Sequence, residues 1–307
     1  MSTTSETKKK SPRTPERDVA DSFAHGVDGT RLFVHRRPGP SETTALLSDG
    51  IVCDGFIYKY LEEDLAHRLS VAHWHYRGHG RSAPPVDDER IGVEDHAADL
   101  DAVRRHLGDP PVLLVGHSFG VQVALEAYRR RPEGVKGLVL LCGTFGRVTH
   151  TFKGTDLLAA VLPRLTAAAG QHPKIARALW SRMPPRIALK LALLTGDIDP
   201  QAIDEEDVRP YFEHVADVDV VMFLRMLARA GEHSAADLLP RVRVPVLVVA
   251  GDRDSFTPPG LSESMAERIP DGELLMIPGG THVTPLEHHE LVARRIEQFL
   301  DEHGLAR

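Results

Sequence analysis

Ser118 stands in the run Gly116-His117-Ser118-Phe119-Gly120, and its flanks are of the kind that can turn a serine into a nucleophile. Ahead of it, Pro111-Val112-Leu113-Leu114-Val115 is branched and apolar without alternation, the pattern of a strand buried on both faces. Behind it, Val121, Ala124, Leu125 and Tyr128 recur at helical spacing. The chain must reverse between the two within a few residues and hold Ser118 in a strained conformation, for which Gly116 and Gly120 leave room. Such a turn lifts the hydroxyl to the tip of a sheet. It also puts the Phe119 N–H at a helix N-terminus, where it can stabilise an oxyanion. Gly-x-Ser-x-Gly by itself reads equally as a plain Gly-Ser turn; the strand before and the helix after favour the nucleophile.

A serine nucleophile needs an imidazole to take its proton and an acid to fix that imidazole's tautomer. Both are expected at the carboxyl ends of later strands, where an open α/β sheet places its site. The apolar run Val244 to Ala250 leads into Gly251-Asp252-Arg253-Asp254, and Glu273 to Ile277 leads into Pro278-Gly279-Gly280-Thr281-His282. The order is thus serine, acid, histidine. Asp254 and Asp252 are both candidates for the acid at this point, with Asp252 also suited to forming the turn.

The elements that must carry these residues alternate. Ser22 to Gly26 and Arg31 to Arg37 flank Val27-Asp28-Gly29-Thr30, a hairpin in which Asp-Gly supplies positive φ. A strand at Thr44 to Leu47, a helix at Phe56 to Leu69, a strand at Ser70 to Trp74 and a helix at Ile91 to Leu107 follow. After the Ser118 strand and its helix comes another strand, Val135 to Leu141. Such alternation implies an α/β fold, a mostly parallel central sheet covered by helices on both faces. From Arg147 to about Ala236 the composition turns to helical runs, such as Thr155 to Ala169, Ile187 to Leu194 and Val218 to Ala230, broken by prolines including Pro163. Strand and helix then resume with Val244 to Ala250, Pro259 to Arg268, Glu273 to Ile277 and Pro285 to Phe299. The organisation expected is a disordered tail at 1–17, an α/β core at 18–146, a helical cap insertion at 147–236 and the rest of the core at 237–307.

Bulk composition narrows the partners. The chain has 307 residues, with 37 Lys and Arg against 44 Asp and Glu, a net charge of −7. That balance favours neither nucleic acid nor an anionic membrane. Its basic cluster, Lys8-Lys9-Lys10, sits in a Ser/Thr/Lys/Pro-rich start with no apolar run after it, and no stretch is apolar enough to span a bilayer. A cytoplasmic protein acting on a small molecule is expected. Cys53 and Cys142 suit neither a disulfide framework nor a metal knuckle. His73, His75 and His79 lack a carboxylate or thiolate at ligand spacing, so no metal is expected, and His288-His289 reads as solvated surface.

From about residue 20 to 304 the chain resembles the α/β-hydrolase fold superfamily, in its capped form with a serine nucleophile. Gly116 to Gly120 matches the family's nucleophile turn, Gly251 to Asp254 its G-x-x-D acid loop, and Gly280-Thr281-His282 its glycine-preceded histidine. Arg77-Gly78-His79-Gly80-Arg81-Ser82 matches its R-G-x-G-x-S loop. The resemblance implies Ser118, Asp254 and His282 as catalytic residues, with Asp254 preferred over Asp252. It also implies the amides of Phe119 and Ile51 as the oxyanion hole, and no cofactor.

Two departures stand out. Where family members usually carry His-Gly after the third strand, this chain has Asp49-Gly50. Where an aspartate usually precedes the arginine loop, it has His75-Tyr76. Asp49 would oppose an oxyanion unless neutralised or turned away. It is expected to accept hydrogen bonds from backbone N–H groups of the Gly50 to Gly55 loop and so to shape that loop. The activity implied is cleavage of a carboxylic ester of a small, largely apolar substrate through an acyl-enzyme. Its rivals are a cofactor-free perhydrolase, a thioester or carbon–carbon bond hydrolase, and a non-catalytic ligand-binding protein on the same scaffold.

Overall fold

The computed structural model describes residues 19–182, 198–199 and 201–306; the tail expected at 1–17 and the helix expected at Ile187 to Leu194 lie outside them. Eight strands form one sheet: β1 Ala20–His25, β2 Arg31–Arg37, β3 Thr44–Ser48, β4 Ser70–Trp74, β5 Val112–His117, β6 Val135–Leu141, β7 Val246–Gly251 and β8 Gly272–Ile277. Their order across the sheet is β1-β2-β4-β3-β5-β6-β7-β8. β1 pairs antiparallel with β2 and β2 with β4; every other neighbour is parallel. Every residue of β3, β4, β5 and β7 is buried, as expected of mostly apolar strands covered on both faces; the polar exceptions include His73 in β4 and His117 at the end of β5.

Alternate residues of β5 feed the two layers. Val112 and Leu114 pack with Leu100 and Val103 of α2 (Val93–His106) and Val121 and Leu125 of α3 (Phe119–Arg130). Leu113 and Val115 pack on the other side with Leu61 and Leu65 of α1 (Leu61–Ala66), together with apolar residues of the last helix. The helix expected over Phe56 to Leu69 is divided: a 3-10 turn, Phe56–Tyr58, precedes α1. Tyr58 is fully buried and its hydroxyl donates to the Ser48 carbonyl at 2.6 Å, which commits that turn to the sheet before the helix begins.

Between β6 and β7 the described residues form α4 (Val148–Thr151), α5 (Leu157–Gln171), α6 (Pro173–Trp180), α7 (Glu205–Asp217) and α8 (Val220–Glu232). Pro163 does not break α5. It lies inside the helix, where the missing N–H forfeits one intrahelical bond. α8 is capped by Asp219, whose Oδ1 accepts from the N–H groups of Val221 and Met222, both at 3.0 Å. The two ends of the segment are clamped by the bridge Gly146–Ser234, where Ala235 N–H donates to the Phe145 carbonyl at 2.7 Å. The chain then continues with β7, α9 (Pro259–Arg268), β8, α10 (Thr284–Glu287) and α11 (His289–Glu302). No helix among the described residues is long and apolar enough to cross a membrane.

The loop after β4 is anchored by a buried ion network. Arg77, fully buried, donates Nε and Nη2 to the two oxygens of Asp99 at 2.7 and 2.6 Å, and Nη1 to Asp28 of the β1–β2 turn at 2.8 Å. Removing one partner strands the others without water. Asp99→Ala is therefore expected to lower unfolding stability by ~3–5 kcal/mol in urea titrations. Arg81→Ala, which frees the exposed pair with Asp21, is expected to cost under about 1 kcal/mol. Equal losses would show that the buried network carries no more than a surface pair.

Candidate active site

β5 ends at His117, and α3 starts at Phe119; the residue between them, Ser118, has φ 53° and ψ −113°. A non-glycine residue held there is strained, and the surroundings leave little choice. A Cβ on Gly116 would lie 2.2 Å from the Gly120 carbonyl oxygen, and one on Gly120 would lie 2.1 Å from that of Ser48. Both glycines are needed for backbone to pass backbone at this turn.

The loops after β7 and β8 bring two further side chains to the serine. His282 Nε2 is 2.9 Å from Ser118 Oγ, and His282 Nδ1 is 2.9 Å from Asp254 Oδ2. Asp254 is buried, and its remaining lone pairs accept from the N–H groups of Phe256 and Thr257 and the Thr257 hydroxyl at 2.8–2.9 Å. Burial pushes its carboxyl up, but the His282 ring and the Thr257 hydrogen bonds outweigh that and hold it below the ordinary value. An ionised Asp254 must receive a proton from Nδ1, leaving the Nε2 lone pair for the serine hydroxyl. Asp252, the other acid candidate, is exposed and accepts from the Gly279 N–H at 2.7 Å. The Phe256 ring stacks on the imidazole at 4.9 Å between centroids.

Two supports for the histidine loop were not singled out in the sequence. His117 is buried and pushed down to about 3 by that burial; as a neutral ring it donates Nε2–H to the His282 carbonyl at 3.0 Å. Glu287, also buried, accepts from the Thr281 N–H and hydroxyl at 2.8 and 2.7 Å, and from the Asp199 N–H at 2.9 Å. His117 was visible beside the serine, but a role for it needed a partner 165 positions away in the chain.

The loop after β3 lies against the serine turn, since a Cβ on Gly50 would be 3.3 Å from that of Ser118. Ile51 and Phe119 line, with Ser118 and Thr257, a void of about 30 Å³. Asp49 does not shape this loop through backbone N–H groups, as expected above. Its Oδ2 is bound instead to His73 Nε2 at 2.7 Å, with both residues buried. β3 and β4 run parallel with Leu47 beside His73, so the acid that follows β3 meets an imidazole at the end of β4. Burial works against a charged His73, but the Asp49 carboxylate outweighs it and raises the ring above its ordinary value.

The three histidines of this stretch have separate employments. His75 Nδ1 accepts from the Arg81 N–H at 2.8 Å, and His79 Nε2 from the Val52 N–H at 3.2 Å. Among the described residues the one metal-compatible group is Glu273, Glu302 and His303, and there Arg295 already pairs with Glu273 and Glu302. His288 and His289 are half-buried and not surface groups; His289 stacks on Tyr60 at 4.3 Å. Cys53 and Cys142 are buried free thiols, both pushed up by desolvation.

A cavity of about 430 Å³ opens onto Ser118 and His282. Phe152, Leu158, Leu162, Leu224 and Leu227 line it from the helices between β6 and β7, and Val52, Phe56 and Phe256 from the core loops. No Lys, Arg, Asp or Glu is among the described lining residues.

The chain belongs to the alpha/beta hydrolase fold family, whose sequence pattern it matches over residues 53–289. It is similar to the 2-(acetamidomethylene)succinate hydrolase of Mesorhizobium japonicum, at 24% identity over 92% of this chain and 98% of that one. It is also similar, at 28% identity over 84% of its length, to part of the polyketide synthase ThaQ of Burkholderia thailandensis, of which it spans 12%. Among solved structures, a thermophilic esterase from Thermogutta terrifontis superposes with a TM-score of 0.72, at 22% identity over 93% of this chain and 99% of that one. An enol-lactonase from Burkholderia xenovorans superposes at 0.69, with 17% identity over 91% and 100%. The Mesorhizobium relative is named a hydrolase and the Thermogutta structure an esterase, and the chain is an enzyme of the alpha/beta hydrolase fold.

Proposed function

We propose that the protein is a serine hydrolase of carboxylic esters. The observation that carries this reading is the unbroken relay from Asp254 through His282 to Ser118, with a heavy-atom separation of 2.9 Å at each step. Ser118 Oγ attacks the carbonyl carbon while its proton passes to His282 Nε2. The carbonyl oxygen becomes an anion received by the N–H groups of Phe119 and Ile51. Collapse of the tetrahedral species expels the alcohol, which takes the proton from His282. Water then repeats the sequence on the acyl-enzyme, releasing the acid and restoring Ser118.

The apolar cavity supports a small, largely apolar substrate, and the helices of 147–236 act as its cap. The Mesorhizobium relative is named for a succinate, a dicarboxylate. Binding a dicarboxylate at neutral pH calls for a cation, and the described lining offers none. The reading thus departs from that relative in substrate and shares with it only that both reactions are hydrolyses.

A fluorophosphonate probe is expected to label Ser118 alone, giving one adduct by mass spectrometry and abolishing turnover of p-nitrophenyl esters. Across acyl lengths, kcat/KM should rise from acetate to a medium chain, and a carboxylate on the acyl chain should lower it by about tenfold or more. Folded protein that takes no label and turns over no ester would favour a ligand-binding protein on this scaffold.

A further inference from the structure

Val52, next to Ile51, is a buried β-branched residue with φ 56°, a left-handed conformation that such side chains rarely adopt. It lies in a tight turn in which the Cys53 N–H donates to the Gly50 carbonyl at 3.3 Å. The position would suit glycine, so something outside the turn must hold it. The Val52 N–H points to one acceptor, His79 Nε2 at 3.2 Å. His79 is fully buried, and its Nδ1 is 3.0 Å from the Arg77 carbonyl, which can only accept. The proton is therefore on Nδ1 and the lone pair on Nε2, which is the tautomer the Val52 N–H needs. Burial pushes the ring down to about 4 and keeps it neutral at neutral pH. Arg77 is itself immobilised by Asp99 and Asp28.

The rest of the loop is tied in the same manner. The Trp74 indole N–H donates to Ser48 Oγ at 3.1 Å and the Tyr76 hydroxyl to the Asp49 carbonyl at 2.8 Å, while His73 holds the Asp49 side chain. These groups come from β4 and the loop that follows it, so one segment holds the backbone leading into Ile51.

We infer that His79 is a positioning residue for the oxyanion hole: it accepts from the Val52 N–H, fixes Val52 in its left-handed conformation and so aims the Ile51 amide at the Ser118 turn. The inference rests on the ester-hydrolase reading only through the role of Ile51. In chemical terms, the buried network Asp99–Arg77–His79 sets the angle of one oxyanion donor. An apolar isostere would fill the same space and leave the turn free to relax. Glutamine retains an acceptor for Val52 and a donor for Arg77.

His79→Leu, His79→Gln and His79→Leu/Val52→Gly test this. For His79→Leu, kcat on a p-nitrophenyl ester is expected to fall about 10- to 100-fold with KM within about twofold. Affinity for a trifluoromethyl ketone, whose Ser118 adduct carries an oxyanion, should fall by the same factor. His79→Gln should recover most of the loss. The double variant should recover part of it, because glycine adopts positive φ without help.

A folded His79→Leu protein with unchanged kcat and ketone affinity overturns the inference. So does a loss shared by kcat and KM that glutamine does not repair, which would mark His79 as general packing. Amide exchange at Val52 in the unsubstituted protein needs neither folding of a variant nor an active enzyme: protection is expected, and exchange at the unprotected rate overturns the inference. Should the unsubstituted protein turn over no ester while Val52 is protected and His79→Leu exposes it, the hydrolase reading is what fails and the hold on the turn stands.

Discussion

Ser118→Ala and His282→Ala are each expected to reduce kcat on a p-nitrophenyl ester by a factor on the order of 10⁴ to 10⁶, with circular dichroism unchanged. The two groups act as one unit, since the hydroxyl is a poor nucleophile until Nε2, 2.9 Å away, takes its proton. The double variant should therefore be little worse than either single one. Asp254→Asn is expected to cost about 10⁴, because an amide cannot demand the proton from Nδ1 and the ring loses its working tautomer. Asp252→Asn should leave kcat within about threefold: its carboxylate serves the Gly279 N–H in solvent and faces no imidazole. A near-normal Asp254→Asn beside a dead Asp252→Asn would assign the acid to the wrong member of the loop. Residual turnover in Ser118→Ala of more than about a hundredth of normal would remove the acyl-enzyme from the mechanism.

The parts of this site that were legible in the sequence are those carried by local pattern. The unalternating strand before Ser118 and the glycines on either side of it follow from short-range sterics, the acid and histidine loops from the alternation of strands and helices, and the choice of Asp254 over Asp252 from the resemblance to the family's acid loop. The parts that were not legible depend on register between strands. Asp49 and His73 looked like unrelated features, a missing histidine in one loop and a histidine-rich stretch in another. Only the parallel pairing of β3 with β4 turns them into one buried pair. Glu287 gave no signal, because one partner, Thr281, is six positions before it in the same loop region and the other, Asp199, is 88 positions away in the chain. The division of the helix expected over Phe56 to Leu69 has the same origin, a tertiary bond from Tyr58 that overrides local periodicity.

The histidines buried around this site are expected to make the protein unfold in mild acid. Burial pushes His117 down to about 3, His79 to about 4 and His75 to about 2 from an ordinary value of 6.5. His96, packed between the Tyr76 and Phe119 rings, is pushed well down by burial too. A histidine whose folded value is depressed contributes stability that is present above 6.5 and is lost as the pH falls toward the folded value, because the unfolded chain takes the proton first. Each costs about 1.4 kcal/mol per pH unit over that window. Asp254, also depressed, adds its loss only below the ordinary carboxylate range. His73 runs the other way: its raised value contributes stability below 6.5 that is lost as the pH rises through the folded value, so it steepens nothing on the acid side. Asp99, pushed up to about 6 by burial, offsets part of this loss by taking a proton in the folded state first, but the four histidines together still exhaust the ~5–15 kcal/mol of a typical domain within a few pH units. Unfolding is therefore expected with a midpoint between about pH 4 and 5, with uptake of more than two protons across the transition. Fluorescence and circular dichroism followed against pH, with proton uptake by titration, measure both quantities. His96→Phe keeps the ring contacts and removes one titrating group, so it should move the midpoint to lower pH and reduce the uptake by about one proton. A midpoint near pH 3, or an uptake unchanged by His96→Phe, would mean that these rings reach water in the folded state and that burial does not set their charge.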